Sequence, residues 1–169
     1  MNAVFKEQIV KRQPSSMDAV KRAGLVVAVL AISVLAFSFI PPFAPVLILA
    51  AGFGAWYFMS FLKVEYEYAF TDGELDIDII YNRSRRKRLF SAKVNEFDIM
   101  AHVDDKMRAG EFSGAAETLD YSSGVVGNDT YAFLINYKGK RTKIIIEPNA
   151  VMLKALATVL TRRRLHVKP

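Results

Sequence analysis

Cysteine does not occur in this chain, which excludes a disulfide framework, a thiolate metal site and a cysteine nucleophile. Histidine is nearly as scarce. His102 and His166 are the only two, and neither has a second ligand at metal-binding spacing. No glycine-rich phosphate loop, G-x-S-x-G elbow or Walker-type lysine is present. These gaps leave little for an enzyme to work with, so the chain is expected to be non-catalytic and to use no cofactor. The most telling absence is positional. From Ala23 to Leu62, forty residues, there is no Asp, Glu, Lys or Arg, a block that no soluble domain of 19.0 kDa needs.

That block reads as two membrane spans. AGLVVAVLAISVLAFSFI, residues 23–40, would be about 27 Å long as a helix, against a hydrocarbon core of about 30 Å. PPFAP then stops the helix, because Pro42 and Pro45 lack N–H groups and Pro41 disfavours helix in the residue before it. VLILAAGFGAWYFMSFL, residues 46–62, supplies a second span, with Trp56 and Tyr57 near its end where amphipathic rings favour the headgroup level. A cleaved signal peptide would not run at once into a second span, and there is no small-x-small cleavage site between the two. A buried soluble hairpin would carry polar stripes, and this one has none.

Charge orients the hairpin. Residues 1–22 carry five cations (Lys6, Lys11, Arg12, Lys21, Arg22) against two acids, the connecting turn carries none, and Lys63 and a basic cluster follow the second span. Lys and Arg stay on the cytoplasmic side. A multi-pass protein of the cell membrane with both termini cytoplasmic is therefore expected, and the triplets at Asn82 and Asn128 then lie on the side where glycosylation does not occur. Within residues 1–22, Phe5, Ile9 and Val10 recur at helical spacing and predict a short amphipathic helix ended by Pro14. SSMD follows as a capping box, Ser15 with Asp18, opening the helix that enters the membrane.

Residues 63–169 are long enough for a cytoplasmic domain. Val64, Tyr66, Tyr68 and Phe70 alternate with Glu65, Glu67 and Ala69, a half-buried strand. Asp72-Gly73 is a two-residue hairpin signal, and Leu75, Ile77, Ile79 and Tyr81 continue the apolar face with Asp76 and Asp78 opposite. Phe90, Ala92 and Val94 open a third strand beyond a loop at 82–87, and Phe97, Ile99, Ala101 and Val103 a fourth, together an antiparallel meander. Residues 104–127 break the pattern, with a short helix near 104–109 and a short strand near 117–122. TYAFLINY and RTKIIIEP form two further strands about a Lys138-Gly139-Lys140 turn. The closing segment is an amphipathic helix, with Asn149 as N-cap and Arg162, Arg163 and Arg164 beside its negative end, and His166 lies in a frayed tail.

Strands, an irregular middle, more strands and one closing helix is the order of a pleckstrin-homology-like α+β fold, an antiparallel barrel or sheet closed by a C-terminal helix. The chain also resembles an uncharacterised family of small bacterial two-span membrane proteins, on FKEQIVKR near the start, the apolar hairpin, EYEYAFTDGELDIDIIYNRSRRKRL after it and EPNAVMLKAL near the end. The resemblance implies two spans and a cytoplasmic pleckstrin-homology-like domain, and it brings no catalytic residues.

Two constellations remain as candidates. Glu65, Glu67, Asp76 and Asp78 share the outward face of the first hairpin, a pattern able to hold a divalent cation or an acid–base pair. A solvated face relieved by neighbours such as Lys93 explains it more simply. Arg83, Arg85, Arg86, Lys87 and Arg88 form the stronger candidate, at the tip of the second hairpin, for contact with anionic lipid headgroups or a protein partner. Each cation near an anionic leaflet is worth about 1 kcal/mol. Nucleic acid is not expected, since no aromatic interrupts the run before Phe90. The function expected is a membrane-anchored binding or scaffolding module. The alternative is a small accessory subunit packed on another membrane protein through the small-residue patch around Gly52 and Gly54.

Overall fold

The computed structural model describes residues 5–160 and 164–166 of the chain. It resolves into two units, a helical hairpin joined by Tyr81–Arg85, and a sheet domain made of the remaining strands.

In the helical unit, α1 (Ser16–Phe39) opens on the expected capping box: the Ser15 hydroxyl accepts from Asp18 N–H, and the Asp18 carboxylate accepts from Ser15 N–H at 2.9 Å. Ile40 caps it, Pro41–Phe43 form one 3-10 turn, and α2 (Ala44–Ser60) follows. The second helix starts two residues earlier than its apolar run because Pro45 fits a first helical turn, whose N–H groups have no intrahelical acceptor. Covered positions recur every three or four residues, at Arg22, Leu25, Val29, Ser33 and Ala36 on α1 and through Ala44, Ile48, Ala51, Ala55 and Met59 on α2. Everything else apolar faces outward. Only 6% of either helix's most apolar window is buried within the chain, so neither is a core helix of the sheet domain, and both are long and apolar enough to cross a bilayer. The hydroxyls of Ser33 and Ser38 donate to Val29 and Val34 carbonyls at 2.7 and 2.8 Å, so both are satisfied within their own helix.

The sheet domain begins where a helix was expected. Phe5–Lys11 is a strand, β1, antiparallel to β2 (Val64–Thr71), with Phe5 opposite Thr71 and Lys11 opposite Glu65. A helix of this length gains too few hydrogen bonds to repay its nucleation. Pairing with β2 satisfies the backbone instead and turns Val10 inward while Phe5 and Ile9 stay exposed. Asp72 and Gly73, both at positive φ, make the anticipated two-residue turn into β3 (Glu74–Tyr81), and β4 (Arg85–Lys93) completes a four-stranded sheet in the order β1-β2-β3-β4. The meander ends there. A 3-10 turn at Val94–Glu96 leads the chain into a second sheet.

That sheet contains β5 (Ile99–His102). After a single helical turn, α3 (Ala109–Phe112), come β6 (Glu117–Asp120), β7 (Tyr131–Tyr137) and β8 (Lys140–Ile146). After α4 (Ala150–Val159), the two-residue β9 (Leu165–His166) gives the order β6-β8-β7-β5-β9. The tail at 165–166 is therefore not frayed: it runs parallel to β5, with Arg164 O accepting from Met100 N–H at 2.6 Å. Arg162 and Arg163 lie outside the described residues. Neither sheet closes into a barrel.

Between the sheets Tyr68, Phe70, Phe90, Phe97, Phe133 and Ile144 are fully buried. Asn149 caps α4 through Met152 N–H at 2.8 Å as predicted, and the helix buries Met152, Ala155 and Leu156 while lying against β1 and the Val94–Glu96 turn. Gln8 on β1 clasps the chain entering α4, donating to Glu147 O and accepting from Asn149 N–H, each at 2.8 Å. Tyr68 adds a second clasp: its hydroxyl donates to Tyr121 O and accepts from Glu147 N–H at 3.2 Å. The first strand is thus bound into the domain on its edge and across to the last helix.

Candidate functional site

The basic run occupies a different place from the one expected. The turn is only Asn82-Arg83-Ser84, with Asn82 and Arg83 both in the left-handed region and Ser84 N–H donating to Tyr81 O at 3.1 Å. Asparagine tolerates that conformation well, which lets the strand resume at Arg85 instead of beyond Lys87. Four of the five cations consequently sit on β4, where successive side chains face opposite ways.

Arg86 and Arg88 take one face and meet the acids of the first hairpin. Arg86 Nη2 lies 2.7 and 2.8 Å from the two carboxylate oxygens of Glu67. Arg88 pairs through Nη1 with Asp76 at 2.8 Å and through Nε with Asp78. These carboxylates are not a solvated face: Glu67 and Asp78 are 3% and 8% exposed. The acid alternation on one hairpin and the basic run on the next are two halves of one ion-pair lattice. Such charges are committed to holding β2, β3 and β4 in register. Lys87, on the other face, is exposed. Arg85 holds its guanidinium 5.6 Å from the centre of the Phe61 ring, within cation–π range. Arg83 sits at the turn, exposed.

Glu67 is the most perturbed acid of the lattice. Burial raises its pKa to about 7, a hydrogen bond shared with Glu7 and the charges of Glu7 and Asp78 add to the rise, and Arg86 opposes it. The unfolded chain releases this proton near 4.5, so between 4.5 and 7 the folded state binds more protons. Its contribution is complete below 4.5 and fades as the pH rises through 7. Glu67→Gln keeps the shape and cannot ionise, so its stability relative to the wild type should improve steadily from pH 4.5 to pH 8 in thermal melts of the full chain in detergent. A constant offset across that range would show that Glu67 is already ionised when folded at low pH.

His102 has a structural place. Its ring nitrogens are engaged by Gly127 O at 3.0 Å and Asp104 N–H at 3.1 Å, and the ring stands edge-on to Tyr131.

Sequence reasoning missed the interlocking of the acids and cations, because their pairing depends on a turn three residues shorter than the run suggests. The visible signal was the matched alternation, acids at 65, 67, 76 and 78 and cations at 86 and 88, on strands that are neighbours. No curated protein and no solved structure shows significant similarity to the chain. Two uncovered apolar helices set between the first two strands of an α+β sheet domain nevertheless match the expected plan. A family model described as a bacterial PH-like domain, DUF6106, covers residues 2–165, and the chain belongs to that family.

Proposed function

We infer that the protein is a membrane-tethered module that acts by binding, holding its PH-like domain at the cytoplasmic face of the cell membrane. The pairing of β1 with β2 carries this reading. β1 runs into α1 and β2 leaves α2, so the hairpin is inserted within one strand pair and both of its ends must emerge on the same side. The five cations of residues 1–22 and those from Lys63 onward support the cytoplasm as that side. A binding role rather than catalysis is supported by the engagement of Glu67, Asp76 and Asp78 in ion pairs. Within the basic run, Arg83 and Lys87 are the better placed for a headgroup or protein, since Arg86 and Arg88 serve the fold.

One observation favours the accessory-subunit reading as a second possibility: a Cβ placed on Gly52 or on Gly54 would meet nothing beyond α2's own backbone within 4 Å, so α1 does not press on α2 at either glycine and a further helix has room to approach there. Affinity capture of the full chain from detergent-solubilised membranes tests both. Partners that survive Gly52→Leu/Gly54→Leu but vanish with Arg83→Gln/Lys87→Gln establish the binding module. The reverse establishes the subunit, and capture of no protein by the wild type overturns the subunit and leaves the module a lipid ligand alone.

A further inference from the structure

Within the helical unit, a cleft of about 420 Å³ is lined by Arg22 on α1, Trp56, Met59 and Ser60 on α2, Lys63 just beyond it, and Asn82 from the β3–β4 turn. We propose that this cleft is a binding site for the phosphodiester headgroup of an anionic phospholipid, separate from the basic run. The proposal rests on the membrane-tethered reading above and names the ligand.

Three observations converge on it. First, the lining contains two cations and no acid, and among the described residues neither Arg22 nor Lys63 carries an acidic partner. Arg86 and Arg88 on β4, by contrast, are each neutralised by carboxylates of the same sheet. Arg22 is moreover half-buried on the seam between the helices, so its position at the cleft is set by packing. Second, the donors suit a phosphodiester. Its two charged oxygens accept hydrogen bonds, and guanidinium, ammonium and the Asn82 amide are all donors. Ser60 already gives its hydroxyl proton to Tyr57 O at 2.6 Å and does not compete. Third, the cleft is built and placed for a lipid. Asn82 N–H donates to Lys63 O at 3.0 Å, and Arg85 rests over Phe61, so the turn is fastened to the end of α2 and holds Asn82 at the cleft. Trp56 and Met59 supply an apolar side for the start of the lipid's acyl chains. With α2 about 26 Å long and apolar throughout, Lys63 and Asn82 fall just past its end, at headgroup depth.

A soluble phosphate could meet the same three donors, but it would forgo Trp56 and Met59 and gain nothing from the depth of the site. The test separates the sources. The full chain, purified in detergent, is titrated with dioleoylphosphatidylglycerol, with dioleoylphosphatidylcholine, and with glycerol phosphate, reading retained lipid by native mass spectrometry and melting temperature in parallel. Retention and stabilisation should be selective for phosphatidylglycerol, with glycerol phosphate inert. Arg22→Gln/Lys63→Gln should weaken retention roughly 30-fold, through the loss of charge-assisted hydrogen bonds to the phosphodiester, and Arg22→Lys/Lys63→Arg should keep most of it. Asn82→Asp, which tolerates the same left-handed backbone, should also weaken it by placing a negative charge at the cleft. Equal stabilisation by glycerol phosphate overturns the lipid as ligand. Loss of retention in Arg83→Gln/Lys87→Gln but not in Arg22→Gln/Lys63→Gln overturns this site while leaving the binding-module reading intact.

Discussion

Phe133→Ala should lower the melting temperature of the full chain in detergent by roughly 15 °C, from a cost of about 3–5 kcal/mol. Phe133 sits on β7, flanked by β8 and β5, and is fully buried. Its ring stacks on Phe97 with centroids 4.0 Å apart and planes 10° from parallel, and Phe90 leans on it at 5.7 Å. Phe90 comes from the first sheet and Phe133 from the second, so the cavity would open where the two sheets join. Folded domains keep only about 5–15 kcal/mol in total, so this one change removes a large share. Val126→Ala, at a residue 57% exposed, should move the transition little. Comparable melting of the two variants would show that the aromatic cluster is not what joins the sheets.

The ion-pair lattice gives the second large effect. Arg88→Met should cost about 2 kcal/mol, because hydrogen bonds to charged groups are worth about 1.5–3 kcal/mol and two carboxylates lose theirs at once. Asp76 makes the loss sharper. Its Oδ1 is buried without a hydrogen-bond partner, and Arg88 on the other oxygen offsets the charge. Lys87→Met, one position away on the opposite face, should change stability by no more than a few tenths of a kcal/mol. Adding Asp78→Asn to Arg88→Met should recover part of the loss, which is the signature of coupling rather than of two separate injuries. Additive losses in the double variant would mean that Arg88 acts through its apolar stem alone. Chemical denaturation of the wild type, Lys87→Met, Arg88→Met, Asp78→Asn and the double variant decides it.

Local signals account for much of what the amino-acid order announces. Forty uncharged residues, a proline-rich break and a Ser-x-x-Asp box specify the helical hairpin to within two residues at the start of α2 and about two at its end. Asp72-Gly73 and Lys138-Gly139 mark their turns because each needs positive φ, and each has it. What escaped reading depends on partners far away in the chain. β1 looks helical by the spacing of Phe5 and Ile9, and only β2, more than fifty residues on, makes it a strand. The move of β5 into a second sheet hinges on one 3-10 turn that composition does not single out. The candidate contact residues were misplaced for a similar reason: a three-residue turn with Arg83 in the left-handed region is an unusual choice for that residue, and it shifts Arg86 and Arg88 from an exposed tip into the lattice.

The insertion of both spans between β1 and β2 fixes an order of events during biogenesis. β1 leaves the ribosome first, yet its partner follows only after the entire hydrophobic hairpin has been made. The edge of β2, and the Gln8 clasp that steadies the entrance to α4, therefore stay incomplete until the hairpin has doubled back and delivered residue 64 to the side on which residue 11 waits. On the membrane-tethered reading proposed above, an error that sent one end of the hairpin across the bilayer would strand the two halves of the pair in different compartments, and β1 could not complete its pairing with β2.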